Sequence, residues 1–195
     1  MRVVAGDLRG RRIEGPEGNA TRPTTDKVRE AVFNALGSID AIDGAVVVDL
    51  FAGSGALGIE ALSRGAARCT FVENDRRALG VLSGNIDSLG IGDLSRVVPL
   101  DIVRDIASAG ALRLREEVVD ATLVLADPPY VFPHWDEIFS VVESADPSAM
   151  LVIETEMRAA VHDEAPRGWK AVRRRDYGRT TVGFFVRDGV NADGS

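Results

Sequence analysis

Two short stretches hold residues whose types and spacing could do chemistry. "VVVDLFAGSGALGIEAL", residues 46–62, sets Asp49 four residues ahead of Gly53-x-Gly55-x-x-Gly58. "ADPPY", residues 126–130, sets Asp127 before Pro128, Pro129 and the ring of Tyr130. A glycine turn between a strand and a helix lets backbone approach a ligand closely, because no Cβ intrudes. In dinucleotide-binding proteins the pyrophosphate then sits on the helix N-terminus. Asp49 argues against that ligand here: a carboxylate is unfavourable beside a pyrophosphate and favourable beside an ammonium. S-adenosylmethionine (SAM) carries such a cation and no phosphate.

The second stretch supplies the partner chemistry. Two consecutive prolines fix φ and stiffen the loop, so that Asp127 is held in one orientation. Its carboxylate and the Pro128 carbonyl can accept both hydrogens of a planar exocyclic amine, and Tyr130 offers a face for an extruded base. The lone pair of a nucleobase amine is delocalised into the ring. Holding both N–H groups favours a pyramidal nitrogen aimed at a methyl donor, so placement carries most of the catalysis. Either stretch alone could be an ordinary turn. Together, at adjacent strand ends, they point to SAM-dependent methylation of an amine rather than to NAD chemistry.

Further acids fall at neighbouring strand ends. "FVEND" closes a strand with Glu73 and Asn74, twenty residues past Gly53, where a carboxylate can accept both ribose hydroxyls in either kind of site. "PLD" puts Asp101, followed by Ile102, where an acid could meet the adenine amine.

The elements that must position these residues alternate regularly. Apolar strand runs occupy 45–51, 69–72, 96–100, 121–126 and 150–153, and helical stretches fall near 56–63, 76–89, 102–114 and 134–144. Strands this continuously apolar are buried on both faces, which predicts an α/β fold with a parallel, doubly wound sheet. "WKAVRRRDYGRTTVGFFVR" instead reads as an antiparallel hairpin turning at Tyr177-Gly178. A mostly parallel seven-stranded sheet ending in such a hairpin is the Rossmann-like class I methyltransferase fold. Ahead of it, "RVVAGDLRGRRIEG" predicts two short strands, and a helix starts at Thr25 or Asp26 and stops at Gly37. The expected division is residues 1–24 as an N-terminal hairpin extension, 25–187 as the methyltransferase domain and 188–195 as a tail.

Composition bounds the partners. The single Cys69, with His134 and His162 far apart, offers no disulfide framework and no zinc pattern. No stretch approaches a membrane span and the first residues lack a signal-peptide core, so a cytoplasmic protein that meets no membrane is expected. The net charge of −7 is unevenly spread. Residues 1–29 carry +3 and residues 167–187 carry +6, which leaves −16 on the rest. An acidic body with two basic ends suits a protein that meets phosphates in one place. Arginines on edge strands also serve solubility. Arg173, Arg174 and Arg175 are consecutive, so they cannot all face one partner if they lie in a strand. With no apolar interface stripe in view, a monomer is expected.

The combination of "GDLRGRRIEGP", "TRPTTDKVREAVFNAL", "DLFAGSGALGIEALSRGA", "ADPPY" and "YGRTTVGFF", in this order, resembles the RsmD family from about residue 3 to 185. That family methylates guanine N2 in 16S ribosomal RNA using SAM, on assembled or partly assembled small (30S) subunits. The resemblance implies that Gly53 and Gly55 approach the methionine part of SAM, with Asp49 supporting that end. It implies that Glu73 holds the ribose and that Asp101 and Ile102 flank the adenine. Asp127, Pro128 and Tyr130 would hold the guanine, and Arg22, Pro23 and Thr24 would lie over the active site. Arg9, Arg11 and Arg12, with Tyr177 and Arg179, would grip RNA. Adenine-N6 methylation of DNA also uses a "DPPY" loop, but this chain has no room for a separate target-recognition domain. A non-catalytic RNA-binding assembly protein would tolerate degenerate motifs, and here both motifs are intact.

Overall fold

The computed structural model describes residues 1–15, 26–108, 111–129, 132–156, 161 and 164–189. Its centre is β1 (Val46–Leu50), a run of β-branched and apolar residues with parallel neighbours on both sides, β2 (Arg68–Glu73) and β4 (Leu123–Ala126). β3 (Ser95–Pro99) extends the sheet beyond β2, and β5 (Met150–Glu156) extends it beyond β4. β7 (Thr180–Arg187) then adds antiparallel to β5, and β6 (Trp169–Tyr177) closes the order β3-β2-β1-β4-β5-β7-β6. This is the expected mostly parallel sheet with its antiparallel terminal hairpin. The strand order reverses between β1 and β4, which opens a crevice at the carboxyl edge, where open α/β sheets take ligands.

Helices cover both faces. α1 (Asp26–Gly37), α2 (Ala56–Ser63) and α3 (Arg76–Leu89) pack on Val47, Phe71, Leu125 and Phe184. α4 (Ile102–Ile106), α5 (Leu112–Val118) and α6 (Trp135–Val142) pack on Val48, Leu50, Val124 and Phe185. Fully enclosed side chains of this size each stabilise the fold by about 2 kcal/mol. α3 starts where Asp75 accepts the Arg77 and Ala78 N–H groups and stops at Gly90 with φ +70°. Both ends match the sequence reading.

Two expectations are corrected. The stretch 102–114 is not one helix: α4 ends at Ile106 and α5 opens after Ala111, at φ +49°. The Asp105 carboxylate accepts the Leu114 N–H and so caps the second segment, a tertiary use of an acid that periodicity reads as one more helical residue. The N-terminal arm does double back antiparallel, with the Val3 N–H on the Arg11 carbonyl at 3.0 Å and the Ile13 N–H on the Met1 carbonyl at 3.1 Å, but its pairing is one bridge long, Arg2 to Arg12, shorter than the two strands expected. The reason lies in its donors. Val4 and Ala5 N–H bond the Glu60 carboxylate at 2.8 and 3.0 Å, and Leu8 N–H bonds Ser63 Oγ at 3.0 Å. Those groups dock the arm on α2 instead of extending a ladder, and Val3 and Ile13 are buried in the α1–α3 layer.

Candidate active site

The glycine turn follows β1 at the crevice. Gly53 and Gly55 have φ of +56° and +82°, and Phe51 between strand and turn has φ +62°. The glycines serve different ends. A Cβ on Gly55 would come 2.5 Å from Leu82 and 3.3 Å from Phe71, and one on Gly58 would come 2.4 Å from Phe71 and 2.6 Å from the Cys69 sulfur. Those two glycines let α2 settle onto the sheet and α3. A Cβ on Gly53 meets nothing closer than the Phe51 carbonyl at 4.0 Å. Gly53 is therefore where backbone lies open to a ligand, whereas Gly55 is shaped by internal packing.

Three carboxylates gather here. Glu73, half-buried at the end of β2, accepts the Gly53 N–H through Oε2 at 2.8 Å. Its Oε1 accepts the N–H groups of Asn74 and Asp75, each at 2.8 Å. Asp49 is only 1% exposed and accepts the Gly58 N–H at 2.8 Å. Its carboxylate thus touches the backbone of α2 from beneath the turn, instead of standing at the open edge. Burial pushes its pKa up to about 7; the Gly58 hydrogen bond opposes this, and the charges of Asp127 and Glu73 add to it. Asp127 follows β4 directly, half-buried beside half-buried Pro128. The local field is negative, which suits a cationic cofactor and opposes a pyrophosphate. The open backbone at Gly53 and these acids fit SAM. Asp101 caps α4 through the Arg104 N–H at 3.0 Å and is exposed at the same edge, while the Ile102 side chain is buried below it.

Two groups of contacts escaped the sequence reading. Phe51 packs edge-on against Phe132, centroids 5.2 Å apart, and Phe132 packs against Trp135 at 4.9 Å and His134 at 5.8 Å. This aromatic cluster ties the glycine turn to the loop after β4. His134 and Trp135 also begin α6. Asn85, 2% exposed on α3, makes the second group. Its Oδ1 accepts the Glu14 N–H at 2.9 Å, and its Nδ2 donates to the Glu14 and Ser54 carbonyls at 3.0 and 2.9 Å. One buried side chain therefore joins the N-terminal arm to the glycine turn. An Asn inside a helix is its only sequence trace, and only the fold shows both partners.

The remaining expected residues divide. Tyr177 and Arg179 sit in the β6–β7 turn, which the pairing of Thr180 with the end of β5 brings to the carboxyl edge. Arg9, Arg11 and Arg12 are exposed on the arm, and Arg11 donates to the Ser88 carbonyl at 2.7 Å. The arm's tip rests against Ser63 at the far end of α2, so Arg9 is the farthest of the three from the crevice. Tyr130, Arg22, Pro23 and Thr24 lie outside the described residues.

Fold and site together define a class I methyltransferase. The comparisons narrow this: the family described as conserved hypothetical protein 95 matches residues 1–186. Ribosomal RNA small subunit methyltransferase D of Escherichia coli is 33% identical over 192 residues, covering 96% of this chain and 90% of that one. Its Haemophilus influenzae namesake is 29% identical over 181 residues, covering 91% and 89%. The solved structure of yhhF from Escherichia coli superposes with a TM-score of 0.77 at 33% identity, covering 96% of this chain and 97% of that one. The chain belongs to this family, the RsmD methyltransferases.

Proposed function

We propose that the protein transfers a methyl group from SAM to the exocyclic N2 of one guanine in 16S ribosomal RNA, on the small subunit or an assembly intermediate of it. The observation that carries this reading is the juxtaposition, across the β1–β4 switch point, of open backbone at Gly53 with the Asp127–Pro128 loop. When bound, SAM supplies a methyl group on a sulfonium. Gly53 backbone and Glu73 hold the cofactor, and Asp49 keeps the turn beneath it in shape. Asp127 and the Pro128 carbonyl accept the two amine hydrogens and aim the nitrogen, with Tyr130 stacking on the base. The nitrogen so aimed would take the methyl group as the carbon–sulfur bond breaks, and its surplus proton would leave to solvent. The arm, the segment with Arg22, Pro23 and Thr24, and the Tyr177–Arg179 turn position the RNA, while the pocket chooses the base.

The test is methyl transfer from radiolabelled SAM to small subunits purified from a strain lacking this activity, with naked 16S RNA and duplex DNA in parallel. Label on a guanine N2, reduced about 1,000-fold by Asp127→Ala at unchanged SAM affinity, is the expected result. Measurable SAM binding with no transfer to any acceptor would overturn the ribosomal assignment. Transfer confined to adenine N6 of DNA would replace it.

A further inference from the structure

The basic C-terminal hairpin is sided, and the siding follows from a bulge. Directly paired residues of antiparallel strands point to the same face. Arg173 pairs with Phe184, Arg175 with Val182 and Tyr177 with Thr180, and Val182 and Phe184 belong to the α1–α3 layer. Lys170 pairs with Val186, which belongs to that layer too. Lys170 and Arg173 are three apart and would oppose each other in a regular strand. The register shift between Ala171 and Arg173 inserts one residue and brings them to one side. Arg174, paired with Gly183, faces the other way. There its Nε lies 3.5 Å from the Asp176 carboxylate, which also accepts the Thr181 hydroxyl at 2.7 Å.

The result is three cations and an aromatic ring on one face of an edge strand, leading to Arg179 at the carboxyl edge. Among the described residues no carboxylate lies within ion-pairing distance of Arg173 or Arg175, and Arg175 donates to the Arg174 carbonyl at 3.0 Å. Glu154, two strands inward on β5 in the row of Val182 and Arg175, bounds the basic stretch on that side. Arginines that merely protect an edge strand need no preferred face. Here, among the described residues, the cation on the opposite face is the one that has a carboxylate neighbour.

We propose that the α1–α3 face of β6, with Lys170, Arg173, Arg175 and Tyr177, is a track for the phosphodiester backbone of the acceptor RNA, delivering it to the Arg179 turn and the crevice. This rests on the RNA reading above and adds the path by which the RNA arrives. Alternate strand residues stand about 6.6 Å apart, so successive cations can meet separate phosphates, and Tyr177 can stack beneath a base near the entrance.

The test uses the full chain carrying Arg173→Glu, Arg175→Glu or Arg174→Glu, three substitutions of equal charge on one strand. Binding to small subunits lacking the modification is measured against salt, beside SAM affinity and the KM and kcat of methyl transfer. Arg173→Glu and Arg175→Glu should each weaken subunit binding and raise KM about tenfold, and should flatten the slope of log K against log salt by about one. Arg174→Glu should stay within about twofold, and SAM affinity, kcat and melting temperature should hold in all three. Equal weakening by all three would show a net-charge effect and overturn the track, as would the absence of an effect from Arg173→Glu and Arg175→Glu. Subunit binding with this face dependence but no methyl transfer would overturn the proposed activity and leave the track standing.

Discussion

Two buried carboxylates lie on the same side of the sheet, and their surroundings could hardly differ more. Glu60, fully buried in α2, has Arg29 at 3.4 Å, Arg64 at 2.8 Å and the N–H groups of Val4 and Ala5. Arg29, equally buried, reaches Asp26 and the Arg2 carbonyl as well. Asp49 has the Gly58 N–H and, in place of a cation, the negative charges of Asp127 and Glu73 nearby. A buried carboxylate with cations and donors around it pins elements together, here the arm to α1 and α2. One left short of compensating charge raises its own pKa and favours any cation brought close to it. The first is structural; the second marks the end of the sheet at which the proposed cofactor arrives.

Four measurements would break or sharpen that contrast. The largest effect belongs to Glu60→Gln, which leaves the buried Arg29 with the half-exposed Asp26 as its one remaining carboxylate among the described residues. It should cost about 4 kcal/mol in denaturant unfolding and loosen the arm, with SAM affinity falling less than stability. A cost under about 1 kcal/mol would show that the ion pair does not pin the arm.

Asp49→Asn comes next, with the opposite sign. The folded protein holds the Asp49 proton up to about pH 7, whereas the unfolded chain releases it near 3.8. Its contribution to stability is therefore full below the lower value and is lost as pH rises to the upper one. Between pH 5 and pH 7.5 the wild type should lose roughly 2.5 kcal/mol relative to Asp49→Asn. The variant should melt higher at pH 8 and bind SAM more weakly, a stability gain at the expense of the site. Parallel pH profiles for the two proteins would show that Asp49 does not titrate in this range.

The wild-type cofactor affinity provides the third test. A cation bound near Asp49 favours its ionised form, so SAM affinity should climb as pH rises to about 7 and level off above. Calorimetry in buffers of different ionisation enthalpy should show proton release below that pH. Asp49→Asn should abolish both the climb and the release.

Asn85→Ala should have the smallest effect, about 2 kcal/mol in unfolding, because it strands donors and acceptors of Glu14 and Ser54. SAM affinity and subunit affinity should fall together, since the residue joins the arm to the glycine turn. Ser63→Ala severs a different tie of the arm and should spare SAM affinity. If both variants spare it, the arm and the turn are not linked through Asn85.

Much of this was legible in the chain. The alternation of apolar runs and helical stretches determined the doubly wound sheet, because buried parallel strands must be apolar on both faces and crossovers must be helical. "DLFAGSG" and "ADPPY" determined which turns face the crevice, because glycine and proline restrict backbone locally. Tertiary structure alone decided that Gly55 serves packing and Gly53 the opening, since the sequence holds two identical glycines and not the Leu82 and Phe71 side chains around one of them. It also decided that Asp49 lies beneath the turn, that the arm's N–H groups go to Glu60 and Ser63, and that a bulge gathers Lys170, Arg173 and Arg175 on one face. Each of these depends on contacts between residues far apart in the chain, or on a register shift of one residue, and neither has a local signature.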